Sequence, residues 1–489
     1  EILRCLVGSE MCIRDSAMTP EKTGYLDAIG PQIGIESSAY DYVMTKGIKP
    51  ARDFMLGGGH TYMFSGPFKS SLSLNLNEKA TVEAVSANGH TPLIWSADVR
   101  SGRTVTCNIG IYGKVVRGFY ASAFSLLGSA TAYPVINSAA FYLDDFPSPV
   151  PSGDATYIKR DYGMSIADFY SKVWWPDLTK LAERYGIRFT GVMIENYGDD
   201  TKDAPVRQKD ESHFSYFGGL LLKQNGEIGY HGYNHQPLVL PNTDYGDEYA
   251  YHQWPNRKAV VASLRELIAF QKSVLPAATA SVYVPPSNIL SKEGRQTIGR
   301  DVPEIRTIAS TYLPSDSKLP YVQEFGVADD GIVEAPRIVS GGMVGDYMRL
   351  AAESELNMHF VSTHFMHPDD MLDPDRGAKE GWAVYRKGLE NYLDWLEASA
   401  PSIRMQTGTE CASAVQRFSG LTVKMRESAN EWEFDLGNFK DQAWLLLRAN
   451  HGTPGRIQGG SMIRMTGNLY LIKATDSTVH VERKAGGAA

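Results

Sequence analysis

Between residues 136 and 400 short apolar runs alternate with longer stretches whose apolar positions recur at helical spacing. AAFYL (139–143) is a wholly apolar run that predicts a buried strand. ADFYSKVWWPDLTKLAERYGI (167–187) carries an apolar stripe three and four residues apart and stops at Gly186, which predicts a helix with a glycine cap; IRFTGVMIE (187–195) then predicts a strand. The pattern repeats. FGGLLLKQNG (217–226) predicts a helix and EIGYH (227–231) a strand, followed by AVVASLRELIAFQKSVL (259–275) as a helix and ASVYVPP (280–286) as a strand. MHFVSTHF (358–365) predicts the last strand and WAVYRKGLENYLDWLEAS (382–399) the last helix. Strands alternating with helices over this length imply a parallel sheet or barrel.

The flanks read differently. From 17 to 135, KATVEAVSA (79–87), TPLIWSADV (91–99) and RTVTCNIGIYG (103–113) predict strands, and the segment is expected to be a truncated α/β accessory domain. The charge-free stretch from Gly118 to Leu143 is broken by Gly128 and Pro134. It predicts a buried helix to about Leu127, a turn near Pro134 and a strand, not a membrane span. After Pro401 short alternating runs (LTVKMRES, EWEFDL, QAWLLLRAN, SMIRMTGN, LYLIKA, TVHVERK) predict a C-terminal β-sandwich over 401–489. The first sixteen residues, EILRCLVGSEMCIRDS, resemble translated sequencing-adaptor read-through and are expected to be non-native, Cys5 and Cys12 with them. An export signal, if the natural protein has one, is expected to lie outside this chain.

The net charge of −8 without a basic block argues against nucleic-acid binding. Four cysteines in 489 residues exclude a disulfide scaffold and leave the redox compartment and the oligomeric state unread.

Seven of the eleven histidines lie between His213 and His367. His231 and His235 follow the EIGY strand, in GYHGYNH. Asp144-Asp145 ends AAFYL, where two carboxylates beside a buried strand require a compensating charge. His364 and His367 lie in THFMHPDD. Two imidazoles and a carboxylate suffice for a divalent cation, with a second carboxylate left as base and another histidine as acid.

The order of these features resembles the polysaccharide deacetylase (NodB-homology) family. Leu143-Asp144-Asp145 stands where that family has Phe-Asp-Asp. LAERYGIRFTGVMI is similar to its leucine-rich helix, Tyr-Gly-Ile and strand, and LLLKQNGEIGYHGYNH to the approach to its His-x-x-x-His pair. YVPPSN stands at its Arg-x-Pro-Tyr segment, and FVSTH at its final strand. Within the family the chain is most similar to the divergent exopolysaccharide deacetylases of the Pel and galactosaminogalactan type. The resemblance implies an α/β fold, a distorted (β/α) barrel over 136–400, and metal-dependent de-N-acetylation of an N-acetylhexosamine polysaccharide outside the cytoplasm. It further implies Asp145, His231 and His235 as ligands of one divalent metal, zinc by default, with Asp144 as base and His364 as acid. His364 is preferred because it ends a strand, and His367 is its competitor.

Two departures stand out. The arginine that orients the base is absent from its motif, where Tyr283 or Val284 stands, and Arg337 is the candidate replacement. The motif tyrosine is replaced by Ser287, whose backbone N–H is the candidate oxyanion donor, with Asn288 and Tyr233 as further substrate contacts. Asp346-Tyr347 is a stand-in for the family's fourth motif, and Tyr197, Tyr230, Tyr233 and Trp254 are candidate sugar-stacking residues. Two other readings stay open: a glycoside hydrolase pairing Glu195 with Asp144, and an inactive carbohydrate-binding protein that keeps the fold.

Overall fold

The computed structural model describes residues 28–100, 102–110, 113–241, 250–314 and 318–484, with two short strands at Cys5–Val7 and Glu10–Arg14. The rest of the adaptor-like segment, Ser101 of the expected Ser101-Gly102 turn, and Ile111-Tyr112 of the expected third strand lie outside the described residues.

The middle of the chain builds a parallel sheet from β1 (Ser138–Leu143), β2 (Thr190–Met193), β3 (Glu227–Tyr230), β4 (Val282–Tyr283), β5 (Thr307–Ile308), β6 (Val333–Glu334), β7 (Val339–Ser340) and β8 (Val361–Met366). Its order is β6-β5-β4-β3-β2-β1-β8-β7. All six residues of β1 are buried, which is why that strand reads as an unbroken apolar run. The two ends of the parallel run belong to one segment, Val333–Ser340, with Gly326–Val327 adding antiparallel outside β6. On one side Ala335 and Arg337 donate their amides to Ile308 (3.0 Å) and Ser310 (2.7 Å). On the other, Ile338 donates to Thr363 at 3.0 Å. The sheet thereby curls round on itself.

Helices connect the strands. α1 (Trp175–Tyr185) ends at Gly186, whose φ of 69° is the left-handed cap the sequence predicts. α2 (Ser212–Lys223) leads to β3, and α3 (Arg257–Val274) is capped by the Asn256 side chain. α4 (Lys292–Asp301) follows β4, and α5 (Asp346–Met358) and α6 (Trp382–Ser399) flank β8 in sequence. α7 (Gly408–Phe418) opens with a reciprocal Thr407–Glu410 capping box. A short strand before it, Met405–Gln406, pairs with β1, so the elements just after Pro401 pack on the parallel sheet.

The N-terminal region departs from the expected α/β pattern. It is a seven-stranded sheet in which strands Ile35–Pro50, Tyr62–Leu76, Ala80–Ser86, Pro92–Val99 and Gly102–Cys107 pair antiparallel. Glu10–Arg14 adds in parallel to Gly102–Cys107, so part of the adaptor-like segment carries regular structure. One helix, Arg117–Ser125, joins this sheet to α5. Its Gly118 amide donates to Ser354 Oγ at 2.8 Å, and a Cβ at Gly118 would collide with the Ser354 backbone. The Asn357 amide group bonds both the N–H and the C=O of Leu56, at 2.9 and 3.0 Å.

The C-terminal strands form two four-stranded antiparallel sheets whose facing residues, including Trp432, Phe434, Leu445, Leu447, Ile472 and Val479, share one buried cluster. One edge of the second sheet is strand Ala130–Val135, donated from just before β1. Pro134 therefore sits inside a strand and not in a turn. An edge strand tolerates it because its missing N–H has no ladder partner to lose. Among the described residues no helix is long and apolar enough to cross a membrane.

Candidate active site

Asp144 and Asp145 leave the end of β1 together. The Asp144 amide extends the ladder to β8 by donating to Met366 at 2.9 Å. Asp145 then adopts φ 52°, a left-handed conformation that aspartate tolerates better than most residues. This kink breaks the strand's alternation, and so both carboxylates serve one site instead of opposite faces of the sheet.

His231 follows β3. Its Nδ1 bonds the Val284 carbonyl at 2.8 Å, which fixes that nitrogen as the proton carrier and turns Nε2 toward Asp145. Nε2 of His231 and Nε2 of His235 each lie 3.5 Å from Asp145 Oδ1. Asp145 Oδ1 and His231 Nε2 are buried and have no hydrogen-bond partner. Burial pushes the His231 imidazole down to about 4, against the opposing pull of Asp144 and Asp145, so it is neutral and its Nε2 lone pair is available. Such orphaned atoms are costly in a folded interior, and this donor set suits a divalent cation, zinc first. The three ligand atoms lie within 4.8 Å of one another.

Asp144 is held from two sides. Arg337 Nη1 bonds both its oxygens, at 2.6 and 2.5 Å, and His367 Nε2 lies 3.6 Å from Oδ2. Burial alone would raise the Asp144 carboxyl; the charge of Arg337 holds it below the usual range. Arg337 comes from the segment between β6 and β7, far from the position where the sequence motif lacks its arginine. Its Nη2 donates to Asn288 Oδ1 at 2.7 Å, and its guanidinium carbon lies 3.9 Å from the centre of the Phe365 ring.

The two competing histidines separate cleanly. His364, expected as the acid, is in the core: its Nε2 bonds the Gly341 carbonyl at 2.8 Å and its ring packs against Phe141 and Tyr392. Burial pushes it down to about 4. His367, three residues on, is the one beside Asp144. Its Nδ1 lies 3.4 Å from Asp370 Oδ1. Burial opposes its charge, but Asp370, with Asp144 and Asp145, raises it to about 9. The pleat turns His364 toward Tyr392 on α6 and leaves its neighbour Phe365 facing Arg337.

Other expected contacts move too. Asn288 supports Arg337. Ser287 and Asn288 both adopt left-handed backbone, φ 48° and 59°, and Ser287 Oγ meets Tyr251 Oη at 2.5 Å. The Tyr251 ring stands 6.0 Å from that of His235, so Tyr251 links Ser287 to the histidine pair. The Tyr233 hydroxyl is spent on Val206, accepting from its N–H and donating to its C=O at 2.7 and 2.8 Å, so it offers nothing to a ligand. Tyr230 and Trp254 are core residues, whereas Tyr197 is exposed and bonds Ser148. Asp346 opens α5 and accepts the Met63 amide, with no link to the site. Glu195 is wholly buried with one oxygen on the Gln208 amide, closed to a glycosidic bond. Three residues that sequence reasoning passed over complete the surroundings of His367: Asp370, Arg376 and Tyr385. The Asp369-Asp370 pair was visible as a dipeptide, but such pairs are usually solvated turns.

The family profile described as an uncharacterised protein conserved in bacteria (DUF2194) matches residues 59–471. No curated protein matches the chain. Among solved structures, a Mycobacterium smegmatis protein provisionally assigned as a polysaccharide deacetylase is 16% identical, covering 62% of this chain and 99% of its own, with a TM-score of 0.36. Thermotoga maritima alpha-fucosidase is 8% identical, covering 71% and 95%, with a TM-score of 0.25. The maltogenic amylase from S. marinus is 10% identical, covering 93% and 83%, with a TM-score of 0.30. Scores this low leave the functional reading to the geometry of the site.

Proposed function

This chain belongs to the DUF2194 family, and we propose that it is a metal-dependent deacetylase acting on the acetamido groups of an N-acetylhexosamine polysaccharide. The observation that carries the reading is the convergence of orphaned Asp145 Oδ1 and His231 Nε2, with His235 Nε2 3.5 Å from the same oxygen, beside a charge-compensated Asp144 and a protonated His367. Under this reading the parallel sheet is a distorted (β/α) barrel of the deacetylase type, and the C-terminal sheets are an accessory β-sandwich. Its substrate is an exopolysaccharide of the Pel or galactosaminogalactan kind, met outside the cytoplasm.

Asp145, His231 and His235 would hold the cation. Bound there, zinc supplies Lewis acidity, polarising a carbonyl and lowering the pKa of water. Asp144 takes the proton of the attacking water, and Arg337 keeps it ionised for that purpose. The Ser287 backbone N–H is the candidate donor to the oxyanion that develops on the acetyl carbonyl. As the C–N bond breaks, His367 gives its Nε2 proton to the departing amine, and the products are acetate and a hexosamine unit. In place of the missing motif arginine, Arg337 supplies the cation from the segment between β6 and β7.

The test is acetate release from a panel of N-acetylated glycans by the zinc-loaded protein and by the His231→Ala, His235→Ala double variant. Release by the first and loss in the second supports the reading. No release from any glycan, or undiminished release by the double variant, overturns it.

A further inference from the structure

His367 leaves β8 on a loop, and a proton donor on a loop needs its ring held from outside the loop. Asp370 does this. One of its oxygens, Oδ2, accepts the His367 backbone N–H at 3.0 Å; the other, Oδ1, lies 3.4 Å from His367 Nδ1 and 3.2 Å from Arg376 Nη1. Asp370 is itself anchored by a buried residue from a different element. The hydroxyl of Tyr385, on α6, donates to Asp370 Oδ2 at 2.5 Å. Tyr385 is fully buried and stacks on Trp382 with ring centroids 5.6 Å apart.

The fold is shaped around this ring. Gly342 faces its Cδ1 edge and Gly377 its Cδ2 edge. A Cβ at Gly342 would overlap the ring, and one at Gly377 would come within 2.8 Å of it. Gly377 also has φ 122°, a conformation open to glycine and few others. Two separate loops thus give up their side chains to admit one phenol, whose single polar atom is aimed at the carboxylate behind the histidine. A ring required for packing alone would need no such acceptor, and a buried hydroxyl without one would be destabilising.

We propose that Tyr385 is a positioning residue for proton delivery: it fixes Asp370, and Asp370 fixes the His367 imidazole so that Nε2 faces Asp144 and the leaving nitrogen. The proposal rests on the deacetylase reading for its activity test but not for its structural one. Tyr385→Phe keeps the ring between the two glycines and removes only the oxygen. In zinc-loaded protein acting on the best glycan of the panel, kcat should fall roughly tenfold with KM unchanged, a part of the hundredfold or more that a positioned acid supplies. In a His367→Gln background the same substitution should change nothing further, because Tyr385 acts only through that ring. A full additional loss there overturns the proposal, since it would show a general structural role.

The second readout needs no turnover. In zinc-free protein the Nδ1 proton of His367, observed by nitrogen-15 NMR, should exchange slowly with water. Exchange should be fast in Tyr385→Phe and in Asp370→Asn. Equal exchange in wild type and Tyr385→Phe overturns the proposal. Absence of acetate release by the wild-type protein, with the exchange difference intact, defeats the deacetylase reading alone.

Discussion

Arg337 and Asp144 stand 193 residues apart in sequence and meet with both side chains almost wholly buried. A buried pair of this kind stabilises little relative to an apolar pair, but breaking it is costly because one charge is left alone. Arg337→Met should therefore lower stability at neutral pH by about 3–5 kcal/mol. The sign with pH follows from the Asp144 carboxyl, which Arg337 holds below its usual 3.8. A depressed acid contributes stability above its unfolded value and loses it as pH falls through the folded one. The gap between wild type and variant should thus be full at pH 7 and narrow below about pH 4. Urea unfolding of metal-free protein at pH 7 and pH 3 measures it, and an equal gap at both would contradict the pairing.

Zinc should stabilise the folded protein by mass action, about 2.7 kcal/mol at a hundredfold excess over Kd. The orphaned Asp145 Oδ1 and His231 Nε2 are the atoms that gain partners. Thermal unfolding with and without zinc should show a higher Tm in wild type and none of that increase in the His231→Ala, His235→Ala variant. A variant that keeps the zinc-dependent rise would place the metal elsewhere.

The two histidines of THFMHPDD should titrate with opposite effects. His367, raised to about 9, contributes stability that is fully present below pH 6.5 and is lost as pH climbs through 9. His364, lowered to about 4, is neutral in the fold, so stability falls as pH drops from 6.5 toward 4. In metal-free protein, His367→Gln should be destabilised most at low pH. His364→Leu should show a smaller loss of stability than wild type between pH 6.5 and 4, the share of His231, also lowered to about 4, remaining. In turnover, His367→Gln should lose a hundredfold or more, of the order a general acid supplies, while His364→Leu stays within a few-fold of wild type. The reverse ranking of kcat would restore His364 as the acid.

The reach of the sequence follows the range of the interactions. Asp144-Asp145 and the His231–His235 pair were legible because each follows an apolar strand directly, so local pattern and local chemistry coincide. Arg337 had no local signal: its meaning comes from β6 and β7, two-residue strands that no hydrophobic period reveals. The choice between His364 and His367 turned on which way a pleat faces, and spacing alone does not give that. The long strands Ile35–Pro50 and Tyr62–Leu76 were missed because their pairing is interrupted by repeated register shifts, which blur an alternating pattern. Pro134 was placed in a turn because its strand's edge position is set by residues 443–449, more than 300 positions away.

The N-terminal sheet is expected to unfold together with the parallel sheet, because the two share α5. Asn357→Ala removes both partners of the buried Leu56 backbone groups and should cost about 3 kcal/mol. Chemical unfolding followed by tryptophan fluorescence and by far-UV circular dichroism should give one coincident transition, shifted in the variant. Two separated transitions would mean that the N-terminal sheet is an independent unit.

The segment Val333–Ser340 has a consequence for biosynthesis. It is the strip that joins the two ends of the curled sheet, and it also carries Arg337. One of its partners, β8, lies 21 residues further along the chain and leaves the ribosome later. Until β8 is made, β1 lacks the neighbour that receives the Asp144 amide, and Arg337 has no finished wall to rest against. Closure of the sheet and pairing of the Asp144 carboxylate with its counter-charge are then the same event, so a partly made chain, or one opened at this seam by a protease, keeps Asp144, His231 and His235 in sequence but leaves Asp144 without Arg337.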